Sequence, residues 1–173
     1  MKVKISHKLH NHQKDIQHFA DNNIDTGIRI SGLILEISEK SGELVVCDNG
    51  GSMPDCRHIV GELVGKYWKV GRLLPAVSLS INPALTRCIV NDFWFNNTFS
   101  GQIEALGSEQ DILRPCSTRG RFSNILSAGE AAKRKGVRKT PLRAKEKNCD
   151  MCVCTHSGKT NHSQEAHELA YHF

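Results

Sequence analysis

The chain has 173 residues, of which 39% are hydrophobic and 6% aromatic, so it can bury one core of ordinary domain size. No run of about 18 apolar residues occurs, which argues against a membrane-spanning helix. The cationic N-terminal residues precede no apolar segment, so a secretory signal is not expected. The seven cysteines are odd in number and mostly isolated, which favours a reducing compartment over a disulfide framework.

The net charge of +5 comes from one segment. Residues 119–147 hold ten Lys or Arg and two acidic residues, a net charge of +8, whereas the rest of the chain carries −3. A short cationic segment indicates a polyanion partner or a nuclear-import address, and a solvated linker is the alternative. The basic positions singled out in this segment are Lys133, Arg134, Lys135, Arg138 and Lys139.

Residues 1–26 are polar and rich in histidine. A short helix is predicted over residues 10–22, because Ile16, Phe19 and Ala20 share a helical face. The five apolar runs that follow are separated by turn residues, and each is predicted as a β-strand. They span residues 27–37, 43–47, 53–60, 73–81 and 86–95.

The period-two pattern of the first run slips at Gly32. Ile28 and Ile30 share one parity, whereas Leu33 and Ile37 share the other. A slip at a glycine is typical of a β-bulge, which lets a long first strand serve both sides of a closed sheet. We therefore predict a mainly β fold, a small five-stranded OB-like barrel with a short N-terminal helix and a basic, largely disordered C-terminal tail.

The predicted organisation has four parts. Residues 1–26 form the polar N-terminal segment, 27–100 the barrel, 101–148 a linker with the basic segment, and 149–173 a Cys/His-rich tail. Weak helical patterns occur in the linker, over residues 101–112 and 127–135.

Two stretches of the barrel region resemble the OB-fold subunits of replication protein A and of telomere-capping complexes. The matching positions are Ile28, Ile30, Gly32, Ile34, Ile37, Asp48, Asn49, Gly50, Val70, Gly71 and Val77. The resemblance implies a barrel that binds single-stranded nucleic acid by stacking bases on aromatic side chains beside a basic groove. A barrel of SH3-like or Tudor-like kind is the alternative.

Aromatic and basic residues of this region supply the predicted nucleic-acid surface. The candidates are Lys66, Tyr67, Trp68, Lys69, Arg72, Arg29, Arg57, Arg87, Phe93 and Phe95. Tyr67 and Trp68 are favoured, since lysines flank them on both sides. Half of the aromatic residues in the fifth run must face the core, and parity alone leaves open which half.

The tail holds Cys149, Cys152, Cys154 and His156 within eight residues. A Cys-x-x-Cys step can place two thiolates on one tetrahedral zinc ion, so zinc at these four residues is the one cofactor predicted. A flexible, reactive tail is the alternative.

Catalytic motifs are lacking: there is no Walker loop, no His-Glu-x-x-His and no nucleophile elbow. Asp48, Asp55 and His58 could meet at one end of the barrel, but they are given no catalytic role. We therefore predict a non-enzymatic subunit that binds single-stranded nucleic acid, with DNA favoured, in a nuclear complex of telomere or replication type at the chromosome, with other subunits as partners and no membrane.

Two other functions stay open at this point. One is an OB-fold protein-interaction adaptor, nuclear or cytoplasmic, whose basic tail gives nuclear import or weak polyanion binding. The other is a small hydrolase or nuclease that uses the Cys/His tail with a metal.

Overall fold

A computed structural model describes residues 1–66, 68, 70–117, 122–143, 151–155 and 159–172, with 142 and 143 described by their backbone alone. The helices are α1 (Lys2–Glu39), α2 (Met53–Val64), α3 (Pro83–Phe93), α4 (Ser100–Leu106), α5 (Ser123–Arg134) and α6 (Thr160–Tyr171). The strands are β1 (Leu44–Cys47), β2 (Ala76–Ser78), β3 (Ile112–Ser117), β4 (Arg138–Lys139), β5 (Leu142–Arg143) and β6 (Val153–Cys154). Over these ranges, every helix is too short or too polar to cross a membrane.

All strand pairs are parallel. β1 lies between β2 and β3, with Val45 opposite Val77 on one side and Leu113 on the other. β3 then pairs with β4 at its start and with β5 at its end, and β5 pairs with β6. Parallel neighbours need long crossover connections, which is why helices cover both faces of this sheet.

The alternation of β1 divides the interior into two cores. Leu44 and Val46 face a layer built from α1, α2 and α6, whereas Val45 and Cys47 face α4 and α5. All four residues of β1 are buried, as expected for a strand covered on both faces. The fold is therefore a three-layer α/β/α arrangement.

The predicted barrel is wrong, because its first strand is the second half of α1. Ile30, Leu33 and Ile37 are buried at spacings of three and four residues, whereas Ile28 is 65% exposed. Residues that share a helical face alternate between even and odd numbers. The same residues therefore look like a strand whose alternation shifts by one position. Gly32 lies inside the helix and marks no bulge.

Two other predicted strands are helices for local reasons. The run 53–60 lies in α2, where Pro54 occupies the first turn and its missing N–H costs no hydrogen bond. The run 86–95 lies mostly in α3, whose N-cap Asn82 accepts a hydrogen bond at Oδ1 from the amide of Leu85, at 3.1 Å. Pro54 and Pro83 thus both lie in the first turn of a helix.

The remaining segments give a mixed outcome. The strand predicted over 43–47 is confirmed as β1, but 73–81 contains only the three residues of β2. The N-terminal helix is much longer than predicted. The basic segment is not largely disordered over its described part, since Lys133 and Arg134 end α5 and Arg138 and Lys139 form β4. Cations suit the carboxyl end of a helix, so α5 accommodates that charge.

Two isoleucines on α1 test the helical assignment directly. Ile30→Ala should lower the free energy of unfolding by about 2–5 kcal/mol, because it removes buried methylene groups. Ile28→Ala should change it by less than about 0.5 kcal/mol, since that side chain is largely in water. Urea unfolding of both variants measures the difference. Equal losses would contradict the helix, because positions 28 and 30 share a face only in a strand.

Candidate active site

The sheet topology creates a crevice at one edge. From β1 the chain passes to β2 on one side and then to β3 on the other side of β1. Where the strand order reverses in a parallel sheet, the connections leave a crevice at the carboxyl ends of the strands, and ligands bind there. Residues 48–52 follow β1 at this edge, and the chain beyond Ser117 follows β3, with 118–121 outside the described residues.

A reciprocal amide pair ties the two sides of the crevice together. Asn49 Nδ2 donates to Asn124 Oδ1 at 2.9 Å, and Asn124 Nδ2 donates back to Asn49 Oδ1 at 2.8 Å. Asn49 follows β1, and Asn124 lies in the first turn of α5. The amino ends of α2 and α5 therefore both start at the crevice, and the partial positive charge of helix amino ends favours an anion there.

The turn between β1 and α2 depends on glycine. Gly50 has a φ of 56°, a left-handed conformation that glycine adopts without steric cost. A 3-10 turn over Gly50–Ser52 then leads directly into α2. The cluster Asp48-Asn49-Gly50-Gly51 is thus a strand-to-helix turn at the rim of the crevice.

Two helix faces meet beside this turn. On α2, Asp55, His58 and Glu62 are spaced by three and four residues and share one face. From α6, Gln164 Nε2 donates to the carbonyl oxygen of Gly51 at 3.2 Å and to Asp55 Oδ1 at 3.4 Å. His172, eight residues after Gln164 and directly after the last residue of α6, also reaches α2.

His172 completes a cluster of two imidazoles and a carboxylate. His58 Nε2 lies 3.4 Å from His172 Nε2 and 3.6 Å from Glu62 Oε1. The two rings meet edge to face, with centroids 5.5 Å apart. The second oxygen of Glu62, Oε2, is buried and has no hydrogen-bond partner among the described residues. A carboxylate beside imidazoles can exchange protons with a bound molecule near neutral pH.

Two further carboxyl groups lie at the amino end of α2. Asp48 is 1% exposed, and its Oδ1 accepts from the amide of Asn49 at 2.6 Å. Burial raises the pKa of Asp48 to about 7, against the opposing hydrogen bonds from Asn49 and Ser52. Burial also raises the pKa of Asp55. Both shifts favour the uncharged form of these carboxyl groups, which repels an anion less than a carboxylate does.

The described residues among those predicted to contact nucleic acid are spread over several elements. Arg29, Arg57 and Arg87 lie on α1, α2 and α3, while Lys66, Trp68 and Arg72 lie on the loop after α2. Phe93 ends α3 and Phe95 lies in the next turn. The described aromatic candidates, Trp68, Phe93 and Phe95, all have exposed side chains. Tyr67 and Lys69 lie outside the described residues.

The basic and cysteine-rich positions lie elsewhere. Arg134 pairs with Glu104, and Arg138 Nη2 lies 3.9 Å from Glu36 Oε1. In the tail, Cys152 Sγ and Cys154 Sγ are 3.1 Å apart, and Cys149 and His156 lie outside the described residues. Over the part of the chain that the structure describes, no group of three or more His, Cys, Asp or Glu is placed to hold a metal ion. Zinc is thus not confirmed and stays a prediction.

Sequence reasoning brought Asp48, Asp55 and His58 together but missed the residues that complete the site. Glu62 continues the three-and-four spacing of the α2 face, a signal visible once 53–64 is recognised as a helix. Gln164 lies on α6 and His172, two steps of four further on, directly follows the last residue of that helix, which the sequence pattern did not predict. In the tail, the closely spaced cysteines form a more conspicuous pattern than this periodicity.

Comparisons with known proteins point to one enzyme family. No protein-family model matches the chain. Phosphoheptose isomerase of Helicobacter pylori is 35% identical over 145 residues, covering 81% of this chain and 76% of that protein. The enzyme of that name from Campylobacter concisus is 32% identical over 178 positions, covering 99% of this chain and 93% of that protein.

Solved structures agree with the sequence relatives. A phosphoheptose isomerase from Francisella tularensis superposes with a TM-score of 0.90 at 26% identity, covering 98% of this chain and 93% of that one. The phosphoheptose isomerase from Neisseria gonorrhoeae gives 0.88 at 26% identity, covering 99% and 94%.

These findings overturn most of the functional predictions. The relatives are named as isomerases, so the resemblance to OB-fold single-strand-binding proteins and the non-enzymatic assignment are wrong. For the same reason, three further predictions are wrong: the nucleic-acid partner, the telomere or replication complex, and the adaptor alternative. The nuclear location is wrong as well, since these relatives come from bacteria, which have no nucleus.

The raised pKa of Asp48 predicts a pH-dependent stability. The folded chain keeps a proton on this carboxyl group between about pH 4, where the unfolded chain releases it, and about pH 7. The free energy of unfolding should therefore fall as pH rises through this window, and Asp48→Asn should flatten that slope. Urea unfolding at several pH values measures it, with the exposed Asp25→Asn as the control. An unchanged slope in Asp48→Asn would contradict the assignment.

Proposed function

The chain belongs to the phosphoheptose isomerase family, and we propose that it interconverts the aldose and ketose forms of a phosphorylated seven-carbon sugar. The observation that carries the proposal is the meeting of α2 and α6 at the switch-point crevice. There His58 lies between the other two groups of the cluster. Its Nε2 is 3.6 Å from Glu62 Oε1 and 3.4 Å from His172 Nε2. The family supports the choice of substrate class, and this cluster supports proton transfer as the chemistry.

Aldose–ketose isomerisation needs two kinds of proton transfer. A base removes the proton from the carbon beside the carbonyl and returns it to the former carbonyl carbon, while an acid handles the proton on the two oxygens. Glutamate as the carbon base, with a neutral imidazole at the oxygens, is a known solution to this problem in a sugar-phosphate isomerase. Glu62 supports the first role, since its Oε2 is buried and without a partner among the described residues.

The histidines support the second role. His172 and His58 lie within hydrogen-bond distance, so a proton taken up by one ring can pass to the other. Their rings remain on the exposed side of the α2–α6 contact, where a sugar oxygen can reach them. Gln164, fixed to the turn and to Asp55, holds α6 in the position that brings His172 to α2.

The phosphate end of the substrate has a physical counterpart on the other side of the crevice. The amino ends of α2 and α5 are joined by the Asn49–Asn124 pair, so their partial positive charges lie close together. A phosphate bound there would leave the sugar chain to extend along α2. The spacing of charge and base then favours a substrate that is anionic at one end and carries a carbonyl at the other.

Glu62→Gln tests the assignment of the carbon base. The amide cannot accept the proton, so kcat should fall about 10²–10⁴-fold while KM changes little. Product formation from a ketoheptose phosphate, followed by NMR, measures both constants. Glu165→Gln is the matched control, because Glu165 pairs with His12 of α1 and not with the catalytic cluster. Wild-type turnover by Glu62→Gln would contradict the role.

A further inference from the structure

A cavity of about 230 Å³ lies between α1, α2 and α6, and its described lining does not include His58, Glu62 or His172. Most of its wall is apolar. The apolar lining side chains include Phe19, Ile30, Ile34, Ile59, Leu63 and Val153. Leu35, which is 53% exposed, also lines the cavity, so the cavity reaches the surface beside α1.

One buried cation faces this apolar space. Arg114, on β3, lines the cavity and is 4% exposed. Within the described part of the chain, its Nε has no hydrogen-bond partner, and its Nη1 makes a long bond of 3.4 Å to the carbonyl oxygen of Thr140. Among the described residues no carboxylate forms an ion pair with it. A buried guanidinium without a counter-ion is costly, so the site lacks an anion that would offset this cost.

The groups around Arg114 do not supply that anion. The titratable neighbours of its guanidinium are the thiols of Cys56, Cys116 and Cys152 and the phenol of Tyr171. A hydrogen bond with Cys116, together with burial, raises the pKa of Cys56, and burial raises the pKa of Tyr171, so both stay uncharged at neutral pH. Arginine keeps its proton even where burial lowers its pKa. The positive charge therefore has no negative partner in the described surroundings.

A second donor lies in the same cavity. The hydroxyl of Tyr171, at the end of α6, is buried, lines the cavity and has no hydrogen-bond partner within the described chain. A guanidinium and a phenol thus offer unused donors to one space whose other walls are mostly aliphatic and aromatic. Two further polar side chains line it, but Asn23 is bonded to the backbone of Phe19 and Cys154, and Ser31 donates to the carbonyl oxygen of Gly27. A sugar would leave its hydroxyl groups unpaired against these walls, which argues against a second substrate site.

We propose that this cavity binds a small monocarboxylate with an apolar or aromatic body. A carboxylate accepts two parallel hydrogen bonds from a guanidinium, which is the strongest pairing open to Arg114. The size agrees, because an apolar cavity of about 150 Å³ is known to hold benzene. The larger volume here leaves room for a ring and its carboxylate. This site is independent of the proposed isomerase chemistry.

Binding of benzoate to the full chain, measured by calorimetry, tests the proposal. Saturable one-to-one binding is expected. Benzyl alcohol, which has the ring but no charge, should bind at least about tenfold more weakly, because it forfeits the charge-assisted hydrogen bonds. Arg114→Met, which keeps the length of the side chain without its charge, should weaken benzoate binding by at least the same factor.

The outcomes that overturn the proposal are equally distinct. Absence of benzoate binding does so, as does equal binding of benzyl alcohol, which would show an apolar cavity alone. Unchanged benzoate affinity in Arg114→Met overturns it as well. If that variant does not fold, Tyr171→Phe decides, since it removes one oxygen only. Weaker benzoate binding by Tyr171→Phe supports the proposal, and unchanged affinity overturns it.

Discussion

The contact between α6 and the start of α2 is the constraint on which the candidate site depends. Gln164 reaches the carbonyl oxygen of Gly51 across 113 positions of sequence, and it reaches Asp55 as well. A second clamp supports it: Asn23 on α1 exchanges two hydrogen bonds of 2.8 Å with the backbone of Cys154 on β6. These two hydrogen bonds fix β6, the edge strand that precedes α6, and so help to position His172 beside His58.

The sequence revealed parts of this fold and concealed others. β1 was predictable, because a run of four β-rich apolar residues ending in Asp-Asn-Gly is a strong strand signal. α1 was not, because its buried stripe crosses two glycines and could be interpreted as a strand with a bulge. Glycine is a poor helix former, and tertiary packing of Ile30, Leu33 and Ile37 overrides that local preference here.

The candidate site shows the same limit. Asp55 and His58 are neighbours on one turn of helix, so their proximity could be inferred from sequence. Gln164 and His172 come from the other end of the chain, and only the order of the parallel strands brings them to the same edge of the sheet. The perturbed pKa of Asp48 is likewise invisible in sequence, since it arises from burial that the tertiary fold creates.

Exchange of solvent deuterium into substrate tests the central claim most directly. A base that carries a proton between two adjacent carbons will trade part of that proton with water before returning it. Incubation of the wild-type chain with a ketoheptose phosphate in deuterium oxide should place deuterium at the former carbonyl carbon of the aldose product, visible by NMR and mass spectrometry. Aldose formed without any deuterium would contradict transfer through a base that exchanges with water, and no aldose at all would contradict the proposed isomerase.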